Sequence, residues 1–381
     1  MRELKRGVIM VFPIAICLVL QYLVTEVNAQ QTEGFAIDVD ARINIAYFES
    51  GIEKFRIIIE KNGGINQTLV NQIPCMAFAG NFVWNDDWAQ TSGSSATAEP
   101  IIENKGDYVT VRCFGMYTFH SLSMVTDIAV SKTGLILISS SLRAERDEPT
   151  VVQTAWTAYF PVEMFANEKA YVNVEGAITE VTLPAFQTTG SLFSSQQVVY
   201  WVDFSRLMEG VTFINMAPGP NVWSGTTVQD ERQYGGNEYI ARHEHTPWGQ
   251  GAMKMGDTRI SKIAFYLHGP GGYSENIDMI SLVSNLARAK IEAENRLESY
   301  SKDDAKAFAS QAINAVESGI EKLLRGNISG AEEDLNRAND LLKKAYDTEY
   351  AGRLPVELMA SVIILVIAVI VVVLMRRRSK K

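Results

Sequence analysis

Eighteen consecutive residues without a charge, Leu358 to Met375, run directly into Arg376-Arg377-Arg378-Ser379-Lys380-Lys381. At about 1.5 Å per residue a helix of that length spans about 27 Å, close to the hydrocarbon thickness of a bilayer. Val, Ile and Leu occupy every side of it, which suits lipid better than a packed protein core. The spacing predicts a transmembrane helix over 356–375, with the basic tail 376–381 held in the cytoplasm and drawn to anionic headgroups. Residues 2–6 are basic on balance, an uncharged run follows from Val8 to Val24, and Val27-Asn28-Ala29 places small residues at the −3 and −1 positions. That layout predicts a secretory signal peptide over 1–29, cleaved before Gln30, with an uncleaved N-terminal anchor as the alternative. The expectation is a single-pass cell-membrane protein with its N-terminal ectodomain outside and a tail too short to hold a signalling domain.

Cysteine and charge are read in that light. Cys17 falls in the signal peptide, leaving Cys75 and Cys113 as an even pair for one disulfide in an oxidising compartment. Asn66-Gln67-Thr68 and Asn327-Ile328-Ser329 are glycosylation sequons. Taking the +1 of residues 1–29 and the +5 of the last six residues from the net charge of −9 leaves −15 on the segment between. Such a surface argues against a general nucleic-acid binder, which must neutralise phosphates, and favours solubility at a crowded surface.

Residues 30–275 read as β structure. Short alternating runs such as Lys54–Glu60, Tyr108–Phe114, Gly134–Leu142, Gln197–Phe204 and Lys262–Leu267 recur between Gly, Asn, Asp and Pro clusters. About a dozen strands exceed a minimal sandwich of ~100 residues. No Pro/Ser-rich linker divides them, so one large double-sheet β-sandwich is expected rather than two in tandem, and Thr91–Thr97 reads as a loop. Near Asn276 the period changes. Three amphipathic patterns, about 277–300, 302–325 and 330–350, predict a helical bundle or stalk over 276–350. Ser301-x-x-Asp304 and Ser329-x-x-Glu332 have the form of capping boxes, and Gly269-Pro270-Gly271-Gly272 reads as the link between body and stalk. The alternatives to an antiparallel bundle are a first helix docked on the β body with a separate hairpin, and a self-associating coiled coil.

Candidate chemistry gathers in two places. In Glu238–Trp248 a regular strand puts Tyr239, Ala241, His243 and His245 on one face and Ile240, Arg242 and Glu244 on the other. Two imidazoles two apart can chelate a divalent metal if His268, His120 or a distant carboxylate supplies a third ligand; otherwise the cofactor is open. The same face offers Tyr239, His243 and His245 as bases for a polysaccharide lyase, with Asn237 or Arg242 neutralising a uronate, although Arg242 points the other way. The second place is aromatic. Trp84, Asp86, Asp87, Trp88 and Trp248 have the composition of a sugar-binding surface, where an indole stacks on the apolar face of a pyranose and carboxylates bond its edge. Asp86-Asp87 is also a Ca²⁺ candidate without a recognised loop spacing. Asp203, Asp230, Glu231 and Glu244 add carboxylates for a glycoside hydrolase. No GxSxG, HExxH or Walker A motif occurs. A double sheet of this size resembles the galactose-mutarotase-like (super-sandwich) domains of carbohydrate enzymes, a likeness at the level of fold alone. The leading expectation is therefore a non-catalytic, membrane-anchored surface protein whose β domain binds glycan or a neighbouring surface protein. The rivals are an anchored carbohydrate-active enzyme with its site near His243, His245 and Trp248, and a subunit of a larger membrane complex.

Overall fold

The computed structural model describes residues 33–85, 94–117, 119–217 and 225–351. The body is a double-sheet β-sandwich with ten strands in each sheet, all paired antiparallel. In spatial order the first sheet runs Gly34–Val39, Arg42–Glu49, Ile52–Glu60, Ile65–Val70, Phe78–Asn85, Val151–Pro161, Glu238–Glu244, Thr226–Asp230 and Ser191–Ser195, with Ile73–Met76 added to Ile65–Val70. The second runs Ala177–Thr182, Lys169–Val174, Val199–Ser205, Gly210–Asn215, Thr258–His268, Leu135–Ala144, Leu122–Ser131, Tyr108–Tyr117 and Ser94–Ala96, with Ile101–Asn104 beside Tyr108–Tyr117.

Alternation decides which side chains enter the core. In Ile52–Glu60, Phe55, Ile57 and Ile59 point inward while Lys54, Arg56 and Ile58 stay partly exposed. The main core joins the two inner faces, and Phe160 of the first sheet stacks on Phe204 of the second at 3.8 Å. Gly210–Asn215 is buried at every position, because the outer face of the second sheet is covered as well.

The cover is helical: α1 (Gly272–Ser299), α2 (Asp303–Leu324) and α3 (Ile328–Tyr350). α1 lays Ile280, Val283 and Leu286 on Leu135, Trp201, Ile214 and Ala264 of the second sheet. α2 and α3 close over α1 with Ala312, Ala315, Val316, Ala331 and Ala338. Gly319 lets the helices cross closely, since a Cβ there would lie 3.0 Å from Leu286 Cδ2 and 3.3 Å from Asp334 Cβ. The bundle and the docked first helix, expected as alternatives, are thus one arrangement.

Four expectations need correction or fall outside the described residues. The Cys75–Cys113 disulfide is not formed; both thiols are free and buried. Cys75 lies in the first sheet and Cys113 in the second, and Cys75 Sγ bonds its own strand at Ile73 O, 3.3 Å away. The capping boxes are not used. Lys302 begins α2 without a side-chain cap, and Glu349 of α3 instead accepts from Ser301 N, Ser301 Oγ and Lys302 N at 3.1, 2.8 and 3.0 Å. Asn327, three residues before Gly330, caps α3 by accepting from Gly330 N at 3.0 Å. Within the stretch read as a loop, Ser94–Ala96 pairs with Tyr108–Tyr117. Among the described residues no helix is long and apolar enough to cross a membrane; the expected spans 1–29 and 356–375 lie outside them. Of the sequon asparagines, Asn66 is partly buried in a strand and Asn327 is exposed.

Candidate functional site

The helices leave the outer face of the first sheet free, and a cleft of about 620 Å³ lies on it. Its floor is set by register. Arg242 pairs with Thr157 on one side and Thr227 on the other, and Ile240 with Tyr159 and Gln229, so these side chains share the outer face. Thr157 in turn pairs with Gly80, whose missing side chain leaves room for Phe78; a Cβ there would lie 3.3 Å from that ring. Phe78, Phe82, Trp84 and Tyr159 consequently form an aromatic layer under the cleft, with Phe82 stacked on Trp84 at 5.7 Å. The Arg242 guanidinium carbon sits 5.3 Å from the Trp84 ring centroid, and Arg242 Nε lies 3.5 Å from Glu244 Oε1.

Two turns build the walls. One is the 3₁₀ turn Glu231–Tyr234, held by Asp230, which accepts from Arg232 N and pairs with the Arg232 guanidinium at 2.8 Å. Arg232 also donates to Ala185 O and Pro184 O at 2.7 Å, tying the neighbouring loop to the same point. This fixes Glu231 and the exposed Tyr234 at the rim. The other wall is the turn carrying Trp248, which is 41% exposed. It lies along strand Val151–Pro161 through Gln153 Nε2→Thr246 O at 3.1 Å and Gly249 N→Val152 O at 3.0 Å. Gly251 permits that approach, since a Cβ there would fall 2.3 Å from the Val152 carbonyl carbon. Burial pushes the Glu231 carboxyl above its ordinary range, against the lowering effect of Arg242.

The sequence-predicted residues divide between this cleft and the interior. Trp84 and Trp248 meet in the cleft, together with Arg242 and Glu244. Asp86, Asp87 and Trp88 lie outside the described residues. Tyr239 and His243 are buried on the inner face, which corrects their reading as bases at an open site. Tyr239 Oη donates to Pro184 O at 2.5 Å, and His243 Nδ1 lies 2.8 Å from Thr226 Oγ1 with its ring against Phe213. Burial holds the His243 imidazole down at about 4; burial, then His243 and Arg259, hold His245 at about 3. Arg242, expected as their neighbour, is on the opposite face of the strand. For the metal reading of His243 and His245, no group of three His, Cys, Asp or Glu side chains is placed to hold an ion among the described residues. The third ligands proposed for it are engaged elsewhere, His268 with Asp203 at 2.8 Å and His120 with Glu148 at 2.8 Å and with Asn85.

Sequence reasoning missed Gln153, Tyr159, Gln229 and Tyr234 as cleft residues. The signal for the correct face was present in Glu238–Glu244. Tyr239 and Ala241 are the apolar members of the histidine side, which marks it as inward, whereas Arg242 and Glu244 charge the other side.

No family model matches the chain, and neither does any curated protein. Among solved structures it is similar to galactose 1-epimerase from Lactobacillus acidophilus NCFM (7% identity, TM-score 0.38, covering 62% of this chain and 98% of that one). It is also similar to the GH36 α-galactosidase AgaB from Geobacillus stearothermophilus (9%, 0.36, covering 70% and 42%) and to the α-N-acetylgalactosaminidase NagBb from Bifidobacterium bifidum (12%, 0.41, covering 65% and 41%).

Proposed function

We propose that the protein binds glycan in the cleft on the free face of the first sheet and is displayed at the cell surface by the apolar segment 356–375. The observation that carries the reading is the make-up of the cleft. Tyr159, Tyr234 and Trp248 offer rings, Trp84 backs the Arg242 guanidinium from beneath, and Gln153, Gln229, Glu231, Arg242 and Glu244 offer amide, carboxylate and guanidinium groups within the same cleft. A pyranose has apolar faces and a hydroxyl-bearing edge, so it needs both kinds of contact at once, with few polar groups fixing orientation. Anchoring is supported by the sequence of the apolar run and its basic flank.

A second reading, cleavage of the bound glycan, draws on Glu231. A carboxylic acid with a raised pKa in one cleft with a second carboxylate, here Glu244 beside Arg242, is the division of labour of an acid and its partner in glycoside hydrolysis. Tryptophan fluorescence of the purified full chain, titrated with a panel of neutral and acidic oligosaccharides, tests the first reading. Saturable quenching that disappears in Trp248→Ala supports it; quenching unchanged in that variant places the ligand elsewhere. Products appearing in the same samples, and lost in Glu231→Gln, move the assignment to the second.

A further inference from the structure

The interior of the sandwich changes character along its own strands. On the first sheet the inward residues run Tyr239, Ala241 and then His243, with His245 just beyond the strand end. On the second they run Phe265 and Ile263, then Ser261 and Arg259, while Phe213 gives way to Asn215. These polar ends enclose a separate cavity of about 170 Å³. Five of the side-chain atoms on its lining residues are buried without a hydrogen-bond partner: His243 Nε2, His245 Nε2, Thr246 Oγ1, Arg259 Nη1 and Ser261 Oγ. His243 and Ser261 are more than nine-tenths buried. Such atoms cost stability unless something satisfies them.

We propose that this cavity is a binding site for a small oxyanion, a carboxylate, sulfate or phosphate group. The sign of the charge decides against a cation and against water alone. Arg259 donates through Nη2 to Ala252 O at 3.0 Å, and among the described residues it has no ion pair. Asp257, the acidic group that Arg259 feels, spends an oxygen on Lys254 N at 2.8 Å. Glu244 lines the cavity as well but lies 3.5 Å from Arg242. Burial leaves the guanidinium easier to deprotonate than usual, only partly offset by Asp257. Water satisfies hydrogen bonds but does not neutralise it; an oxyanion does both. The neutral imidazoles border the same space. His243 Nδ1 shares a hydrogen bond with Thr226 Oγ1 at 2.8 Å in which either atom can donate, and Ser261 and Thr246 supply hydroxyl donors beside Arg259 Nη1. The site lies on the other side of the sheet from the cleft, and Glu244 is the lining residue that the two share among the described residues.

The test uses the full chain in detergent, with sodium sulfate, phosphate and acetate compared against chloride at matched ionic strength. The expected result is a saturable rise in melting temperature with one or more oxyanions that chloride does not reproduce. Arg259→Gln abolishes the saturable part, and Ser261→Ala weakens the apparent affinity by about tenfold, the equivalent of one lost hydrogen bond to a charged group. Should Arg259→Gln fail to fold, ¹⁵N-histidine spectra of the unaltered chain serve: the Nε2 resonances of His243 and His245 move on adding the stabilising anion. Equal shifts by all four salts, an undiminished response in Arg259→Gln, or imidazole resonances that stay put would each overturn the assignment. The carboxylate and tetrahedral arms tell which oxyanion shape the cavity prefers.

Discussion

Arg242 and His243 are neighbours in sequence and face opposite sides of one sheet, so substitutions at the two are expected to act on different properties. Arg242→Ala removes a cation from the glycan cleft and leaves the core untouched. It is expected to weaken oligosaccharide binding by about tenfold or more, roughly 1.4 kcal/mol, with little change in the urea midpoint. His243 and His245 bear on stability instead. Their folded-state pKa values, about 4 and about 3, lie below the ordinary 6.5 because burial penalises the charged ring. The unfolded chain therefore takes up protons first. The stability linked to these groups is whole above about pH 6.5 and drains away as the pH falls towards 4 and then 3. Urea midpoints in oxyanion-free buffer should decline across that window, and His243→Gln or His245→Gln should flatten the decline. A profile that is already flat in the unaltered chain contradicts the buried neutral assignment.

At the scale of elements, the helices read clearly from the sequence because their stripes are long. In the 302–325 stripe Ala305, Ala309, Ala312, Val316, Leu323 and Leu324 are buried in α2, while Phe308, Ile313 and Ile320 are partly buried at its margin. Their ends read poorly, because the group that holds the backbone just ahead of α2 is Glu349, 48 residues from Ser301 and invisible to any local motif. Glu349→Ala should therefore lower stability by about 1–2 kcal/mol by leaving these donors unpaired, although it lies near the end of α3. Denaturant melts followed by far-ultraviolet circular dichroism check this. The structure has twenty strands among the described residues where about a dozen were expected, and three of them have almost no buried face to alternate. Ala177–Thr182 buries only Val181, and Ser94–Ala96 and Ile101–Asn104 bury no residue. The cleft was half legible: Trp84 and Trp248 stood out by composition, but the facing of Glu238–Glu244 depends on which side meets the second sheet. Gly251 is a further element-scale test. Gly251→Ala drives a methyl into the Val152 backbone and should shift the Trp248 turn, weakening glycan binding along with stability.

For the whole molecule, the three layers assign separate work to separate surfaces. The first sheet offers its outer face, the second is sealed by α1–α3, and α3 delivers the chain at Tyr350 to the segment that precedes the apolar run. The fold is held by burial rather than by a cross-link, since Cys75 and Cys113 are free, and burial pushes both thiols up to about 12. Reductant is thus expected to leave the melting temperature unchanged, and iodoacetamide to label neither cysteine until the chain is denatured. A mass gain that requires prior reduction would restore the disulfide. The central claim, glycan held on the free face of the first sheet, is tested most directly on a polysaccharide array, with the detergent-solubilised full chain scored for retention and cleavage. The expected result is retention that is lost in both Trp248→Ala and Arg242→Ala and kept in His245→Gln. No retention at all, or retention indifferent to the two cleft substitutions, would contradict it.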